Sequence, residues 1–304
     1  MPREPSTNGP LSLLAVHAHP DDEASKGAAT TARYSAEGVH TSLVTCTGGE
    51  AGDILNPAVD TPETRAKLPD VRMQELRDAV EVIGYDSLHL LGYHDSGMPD
   101  TEHNERPDNF ANADNDEVVA KLVRIIRSER PHVLITYDDS RFYPHPDHLK
   151  VHEVSVLAFD AAGDPDVHPG AGDPWQPAKL YYTGFSKRRV LAMNEAFEKA
   201  GVESPFAERI LQIEELPDDF TTLIDVEGFT DVGRDALLAH RTQIDPESHW
   251  MALLHEVPTE MLRYEDFAPA RCLVDNGVAD GELETDLFAG VRELVEASAS
   301  REAS

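Results

Sequence analysis

Along the first 185 positions, short apolar runs alternate with segments whose apolar residues recur every three or four. LSLLAVHA (11–18) is a near-continuous apolar run and reads as a strand buried on both faces. GAATTARYSAEG (27–38) reads as a helix closed by Gly38. HTSLVTCT (40–47) is a second strand. In the stretch 61–84, Met73, Leu76, Val80 and Ile83 keep the spacing of one helical face. SLHLLGY (87–93) is a third strand, 115–130 a helix stopped before Pro131, and HVLITYDD (132–139) a fourth strand. Pro146–Ala162 reads as another helix and AKLYYTGF (178–185) as a further strand. This order predicts an α/β fold with a mostly parallel sheet and helices on both faces.

Residues 1–10 read as a flexible leader, 11–185 as the catalytic α/β core, 186–292 as a C-terminal capping region over the strand-end face, and 293–304 as a frayed tail. The polar stretch 99–116 exceeds the usual loop length and reads as a lid, an insertion or local disorder, and 164–177 reads as a second, Pro/Gly-rich loop. In such sheets, ligands gather at the carboxyl ends of the strands. Polar clusters follow four strands here: His19–Glu23, Gly48–Glu50, Tyr93–Ser96 and Tyr137–His148. No G-x-G-x-x-G and no P-loop follows the first strand, so a nucleotide site is not indicated.

Composition narrows the partners. The chain of 304 residues has 57 acidic and 26 basic side chains, a formal charge of −31, and 40% hydrophobic residues. The apolar content supports a real core, and the charge repels nucleic acid and anionic membrane. Cys46 and Cys272 read as free thiols in a reducing compartment. The apolar run at 11–16 is too short for a signal core, and no stretch reaches a membrane span, so a soluble cytoplasmic protein is expected. Homo-oligomerisation stays open.

The chemistry concentrates in two motifs. In His19-Pro20-Asp21-Asp22-Glu23, imidazole and carboxylate are ordinary ligands for a catalytic zinc. Pro20 stiffens the turn so that His19 and Asp22 converge, and Asp21 between them can face a water as general base. In Tyr143-Pro144-His145-Pro146-Asp147-His148, Pro146 suits a first helical position and puts His148 in the first turn. His145 just outside could stabilise an oxyanion or protonate a leaving amine, and Asp147 could hold a neighbouring imidazole in one tautomer. His152, four residues on from His148, shares its helical face and is a rival ligand. His17 alternates with His19 along the strand and reads as a hydrogen-bonded histidine beneath the site. Glu23 has no specific assignment beyond a helix-start or supporting carboxylate.

HAHPDDE near the start and HPDH after a mid-chain strand resemble the LmbE-like family of zinc-dependent N-deacetylases and amidases, which includes the GlcNAc-PI de-N-acetylases. The resemblance runs over nearly the whole chain, and TGGEAGDILNPAVD, AHRTQIDP and TDLFAG point to the subgroup of mycothiol S-conjugate amidases. It implies a Rossmann-like sheet and one zinc ion per chain on His19, Asp22 and His148; Fe2+ is the alternative, since His/Asp/His sites accept both. It further implies Asp21 as general base, His145 for the oxyanion or as general acid with Asp147 behind it, and Tyr143 over the substrate carbonyl. Lys26, Arg72 and Asp95 fall where the family binds substrate. The implied partner is a small molecule, a mycothiol S-conjugate. The sister reading is an N-acetylglucosaminyl-inositol deacetylase, and Lys26 favours the amidase, because the deacetylase subgroup tends to a small polar residue there. Two further readings are a deacetylase of another N-acetylated amino sugar and a metal-free sugar-binding relative. The latter would lose the ligands and Asp21 that this chain retains.

Overall fold

The computed structural model describes residues 4–139, 144–184, 186–201, 203–204, 207–210, 219–248, 251 and 262–302. Seven strands form one sheet: β1 Ser12–His17, β2 His40–Thr47, β3 Ser87–Tyr93, β4 Val133–Tyr137, β5 Lys179–Thr183, β6 Thr222–Asp225 and β7 Tyr264–Cys272. The order is β3-β2-β1-β4-β5-β7-β6. Strands β1 to β5 pair in parallel, and β7 pairs antiparallel with both β5 and β6. The sheet is thus mostly parallel, with its order reversing between β1 and β4, the place where such sheets open a crevice for ligands.

Ten helices follow in chain order among the described residues: α1 Asp22–Ser25, α2 Ala28–Ala36, α3 Pro62–Ala66, α4 Leu68–Ile83, α5 Asn115–Glu129, α6 Pro146–Ala162, α7 Lys187–Ala200, α8 Ala207–Ile210, α9 Thr230–Ala239 and α10 Val291–Glu302. The apolar face of β1 splits by parity. Leu13 and Ala15 pack with residues of α2, α4 and α9, whereas Leu14 and Val16 pack with residues of α5 and α6. Both faces are therefore covered, which is why β1 reads as an unbroken apolar run. Pro146 at the first position starts α6, and Gly84 in the left-handed region ends α4.

The C-terminal part does more than cap. Its strands β6 and β7 lengthen the sheet beyond β5, so the core continues past residue 185. Helix α10 covers most of the stretch expected to fray, because Val291 is buried and Val295 packs on the core. The polar stretch 99–116 is ordered: buried Asn109 donates to the carbonyls of His103 and Asn104, and α5 starts at Asn115. Arg127 likewise fastens the second long loop by donating to the carbonyls of Asp164, Val167 and His168. Cys46 is buried, Cys272 is exposed, and both are free thiols. No described helix is long and apolar enough to cross a membrane.

Candidate metal centre and active site

The site sits at the carboxyl ends of β1 and β4. Strand β1 ends at His17, and the chain turns through Pro20 into α1. Asp21, the residue before α1, has φ 109° and ψ −25°. A non-glycine residue there costs roughly 1–3 kcal/mol, a strain that the surroundings must hold in place. Across the crevice, His145 precedes α6 and accepts the backbone N–H of Asp147 on Nδ1 at 3.2 Å. This cap puts the His145 proton on Nε2, 3.9 Å from Asp95 Oδ1.

Among the described residues, two sets of side chains could hold a cation, both buried: His19, Asp22 and His148, and His19, Asp95, His145 and Asp147. In the first, Asp22 Oδ2 lies 3.3 Å from His19 Nδ1 and 3.3 Å from His148 Nε2. Tyr137 stacks on the His148 ring at 4.3 Å. In the second set, Asp147 is fastened to Ser96 and backs the His19 ring. Asp147 Oδ2 accepts from His19 Nε2 at 3.1 Å and from the Ser96 N–H at 3.0 Å, and the Ser96 hydroxyl donates to Oδ1. A carboxylate on the far nitrogen of a ligating histidine is the usual support of a metal site. Asp147, expected behind His145, therefore stands behind His19. Toward His145, Asp147 offers its backbone N–H, since its carboxylate turns toward Ser96 and His19.

The electrostatics of the first set favour positive charge. Burial alone would lower the His19 pKa, yet Asp147, Asp22 and Asp95 around it pull it well above its ordinary value. Burial would raise Asp22, but His148, Lys26 and His19 hold it well below the usual carboxylate range. Asp95 is also depressed: burial opposes its charge, but the bond from His19 outweighs it. The carboxylates thus demand positive charge at His19, and a divalent ion on a His/Asp/His set meets that demand. Burial lowers His17 to about 4 and His145 to about 4, so both are neutral near pH 7.

The remaining predicted residues fall as follows. Burial pushes the Asp21 carboxyl up, and its side chain keeps 30% exposure toward the crevice. Lys26 Nζ donates to Asp22 Oδ1 at 2.6 Å and lies 5.6 Å from the Tyr137 ring centre, at the mouth of the centre. Arg72 is buried and donates to the carbonyls of Gly49 and Pro20 and to Asp21 Oδ2 at 3.1 Å. A Cβ at Gly49 would collide with that guanidinium. Arg72 therefore acts on the site through the Asp21 turn and the Gly49 loop. Asp95 faces His19 at 3.4 Å. Tyr143 lies outside the described residues. His17 Nδ1 meets Tyr137 Oη at 3.1 Å beneath the ligands. His152 donates to the Tyr137 carbonyl and belongs to neither cation set.

Three residues escaped the sequence reading. Ser96 holds Asp147, and His240 Nε2 donates to Glu23 Oε1 at 2.5 Å. Thr242 donates twice to Glu75. The AHRTQ stretch was the available signal, but only the fold shows which carboxylates it meets.

A model of the GlcNAc-PI de-N-acetylase family matches residues 14–159. The chain is 41% identical to a mycothiol S-conjugate amidase of Streptomyces coelicolor, over 93% of this chain and 98% of that protein. It is 40% identical to a 1D-myo-inositol 2-acetamido-2-deoxy-alpha-D-glucopyranoside deacetylase of Geodermatophilus obscurus, over 92% of this chain and 97% of the relative. Among solved structures, an N,N'-diacetylchitobiose deacetylase from Pyrococcus horikoshii has the same fold, with TM-score 0.61 and 16% identity over 86% of this chain and 84% of the other.

Proposed function

The chain belongs to the GlcNAc-PI de-N-acetylase family, and from that premise we propose that it hydrolyses the amide bond of mycothiol S-conjugates at a zinc ion held by His19, Asp22 and His148. Amide hydrolysis is the chemistry of the family; the substrate and the metal are the proposal. The observation that carries it is the convergence of Asp22 on both His19 and His148 at 3.3 Å, with Asp21 on the adjacent strained turn.

The bound ion would polarise the amide carbonyl and bring the pKa of a water toward ~7. Asp21 takes the proton of that water as its oxygen attacks the carbonyl carbon; a carboxyl pushed up by burial is a better base than an ordinary one. His145 donates from Nε2 to the developing oxyanion, the role its neutral form and capped Nδ1 suit. Tyr143 is the second donor to that oxygen. Cleavage of the C–N bond then gives a mercapturic acid and glucosaminyl-inositol, with the proton held by Asp21 passing to the amine. Asp147 keeps the His19 ring in register throughout. Asp95 borders the sugar side, Arg72 supports the site through the Asp21 turn, and Lys26 selects the acyl side.

Relatives of both names align over the same span at nearly equal identity, so the discriminating test is kinetic. The zinc-loaded protein is assayed on a mycothiol S-conjugate and on N-acetylglucosaminyl-inositol. The proposal expects the higher kcat/KM on the conjugate, and Lys26→Ser should narrow the gap. A higher value on the acetylated sugar would make the chain a deacetylase.

A further inference from the structure

Asp21 occupies a conformation that a non-glycine residue does not hold unaided, and the contacts that hold it combine a near neighbour with distant parts of the chain. Its backbone N–H donates to Glu23 Oε2 at 3.0 Å. The other oxygen of Glu23 accepts from His240 Nε2 at 2.5 Å, and both side chains of that pair are fully buried. On the opposite side, Arg72 donates to the Pro20 carbonyl and to Asp21 Oδ2. Arg72 stands on α4 one turn from Glu75, and Glu75 accepts the N–H and hydroxyl of Thr242 at 2.8 and 2.6 Å. The segment 240–242, just after α9, thus grips both supports of the Asp21 turn.

We propose that Glu23 and His240 are positioning residues for the base: the pair fixes the left-handed turn of Asp21 and makes the C-terminal segment an obligatory part of the active site. The proposal rests on the reading of Asp21 as the general base. Glu23 needs both oxygens for this task. One takes the Asp21 N–H, and the other takes His240, which keeps a carboxylate buried beside Asp21 and Asp22 from being left unpaired. Neither Glu23 nor His240 belongs to either cation set, so neither is a candidate metal ligand.

Glu23→Gln keeps the volume of the side chain, but its single amide oxygen cannot accept from both donors. In the zinc-loaded protein this change should lower kcat about 100-fold, the effect of misplacing a reacting group by about 1 Å. KM and zinc per chain should stay at wild-type values. His240→Leu should do the same, and His240→Gln, which keeps an N–H donor, should recover part of the loss. In an Asp21→Asn background, adding Glu23→Gln should leave kcat where Asp21→Asn alone puts it. A structural role would instead lower turnover by the same factor in both backgrounds, which overturns the proposal, as would wild-type kcat in Glu23→Gln. Should His240→Leu fail to fold, the Glu23→Gln cycle decides alone. Wild-type turnover in Asp21→Asn would remove the base assignment itself, and the proposal with it.

Discussion

Two buried polar clusters in this molecule differ in one respect, the balance of charge. Around Glu284, Lys179 Nζ donates to Oε1 at 2.5 Å, while Tyr181 and Thr222 donate to Oε2 at 2.6 and 2.8 Å. One carboxylate meets one ammonium, hydrogen bonds fill the remaining lone pairs, and the cluster joins β5 to β6 and the segment before α10. At the strand ends, Asp21, Asp22, Asp95 and Asp147 face Lys26 and Arg72 as the permanent cations among the described residues. Among those residues, four against two leaves two negative charges, which a protonated His19 offsets in part and a divalent ion would offset in full. A buried cluster that closes its own charge is a joint of the fold; one left short of positive charge is a site.

Changes on the two sides of this comparison should have opposite signatures. The largest expected effect is Asp21→Asn, which should keep the metal and lower kcat by about 10²–10⁴. Glu284→Ala should instead cost about 3–5 kcal/mol of stability, since it leaves the Lys179 ammonium buried without its partner. Urea denaturation measures that loss, and zinc content per folded chain should not change. Loss of zinc in Glu284→Ala, or a comparable loss of stability in Asp21→Asn, would erase the distinction.

His132 sharpens the comparison from a third place. It is buried against Trp175, neither ring nitrogen has a partner among the described residues, and burial lowers it to about 4. Its folded pKa lies below the unfolded value near 6.5, so on acidification the unfolded chain takes the proton first. Its contribution is full above pH 6.5 and falls between 6.5 and about 4, by up to about 3 kcal/mol at about 1.4 kcal/mol per unit. His132→Leu should flatten that part of the stability-against-pH curve; an unchanged slope would rule the group out. A smaller effect is expected for Asp147→Asn. It should weaken zinc affinity about 10–100-fold in a chelator competition, because it stands behind a ligand without being one.

The parallel core and the candidate ligand set are legible in the sequence because both are local. Strands β1 and β4 are short, mostly apolar runs, and Pro146 marks where α6 begins. His19 and Asp22 share one turn, and His148 lies in a first helical turn, so spacing alone brings each toward the crevice. What stayed hidden depends on packing between distant segments. Glu23 and His240 are 217 residues apart, and Asp147 chooses His19 over its own neighbour His145. Arg72 sits on a charged-looking helix, and only the fold shows it buried under the Asp21 turn. Strands β6 and β7 are separated by the whole of α9, and their place at the sheet edge follows from pairing with β5.

A metal centre for amide hydrolysis at the unbalanced cluster is tested by zinc titration of metal-free protein, read by calorimetry and elemental analysis. One zinc per chain is expected in the wild type, in Asp21→Asn and in His145→Ala, and loss of that binding in Asp22→Ala and His148→Ala. Absence of stoichiometric zinc in the wild type, or binding that survives Asp22→Ala and His148→Ala unchanged, would contradict it.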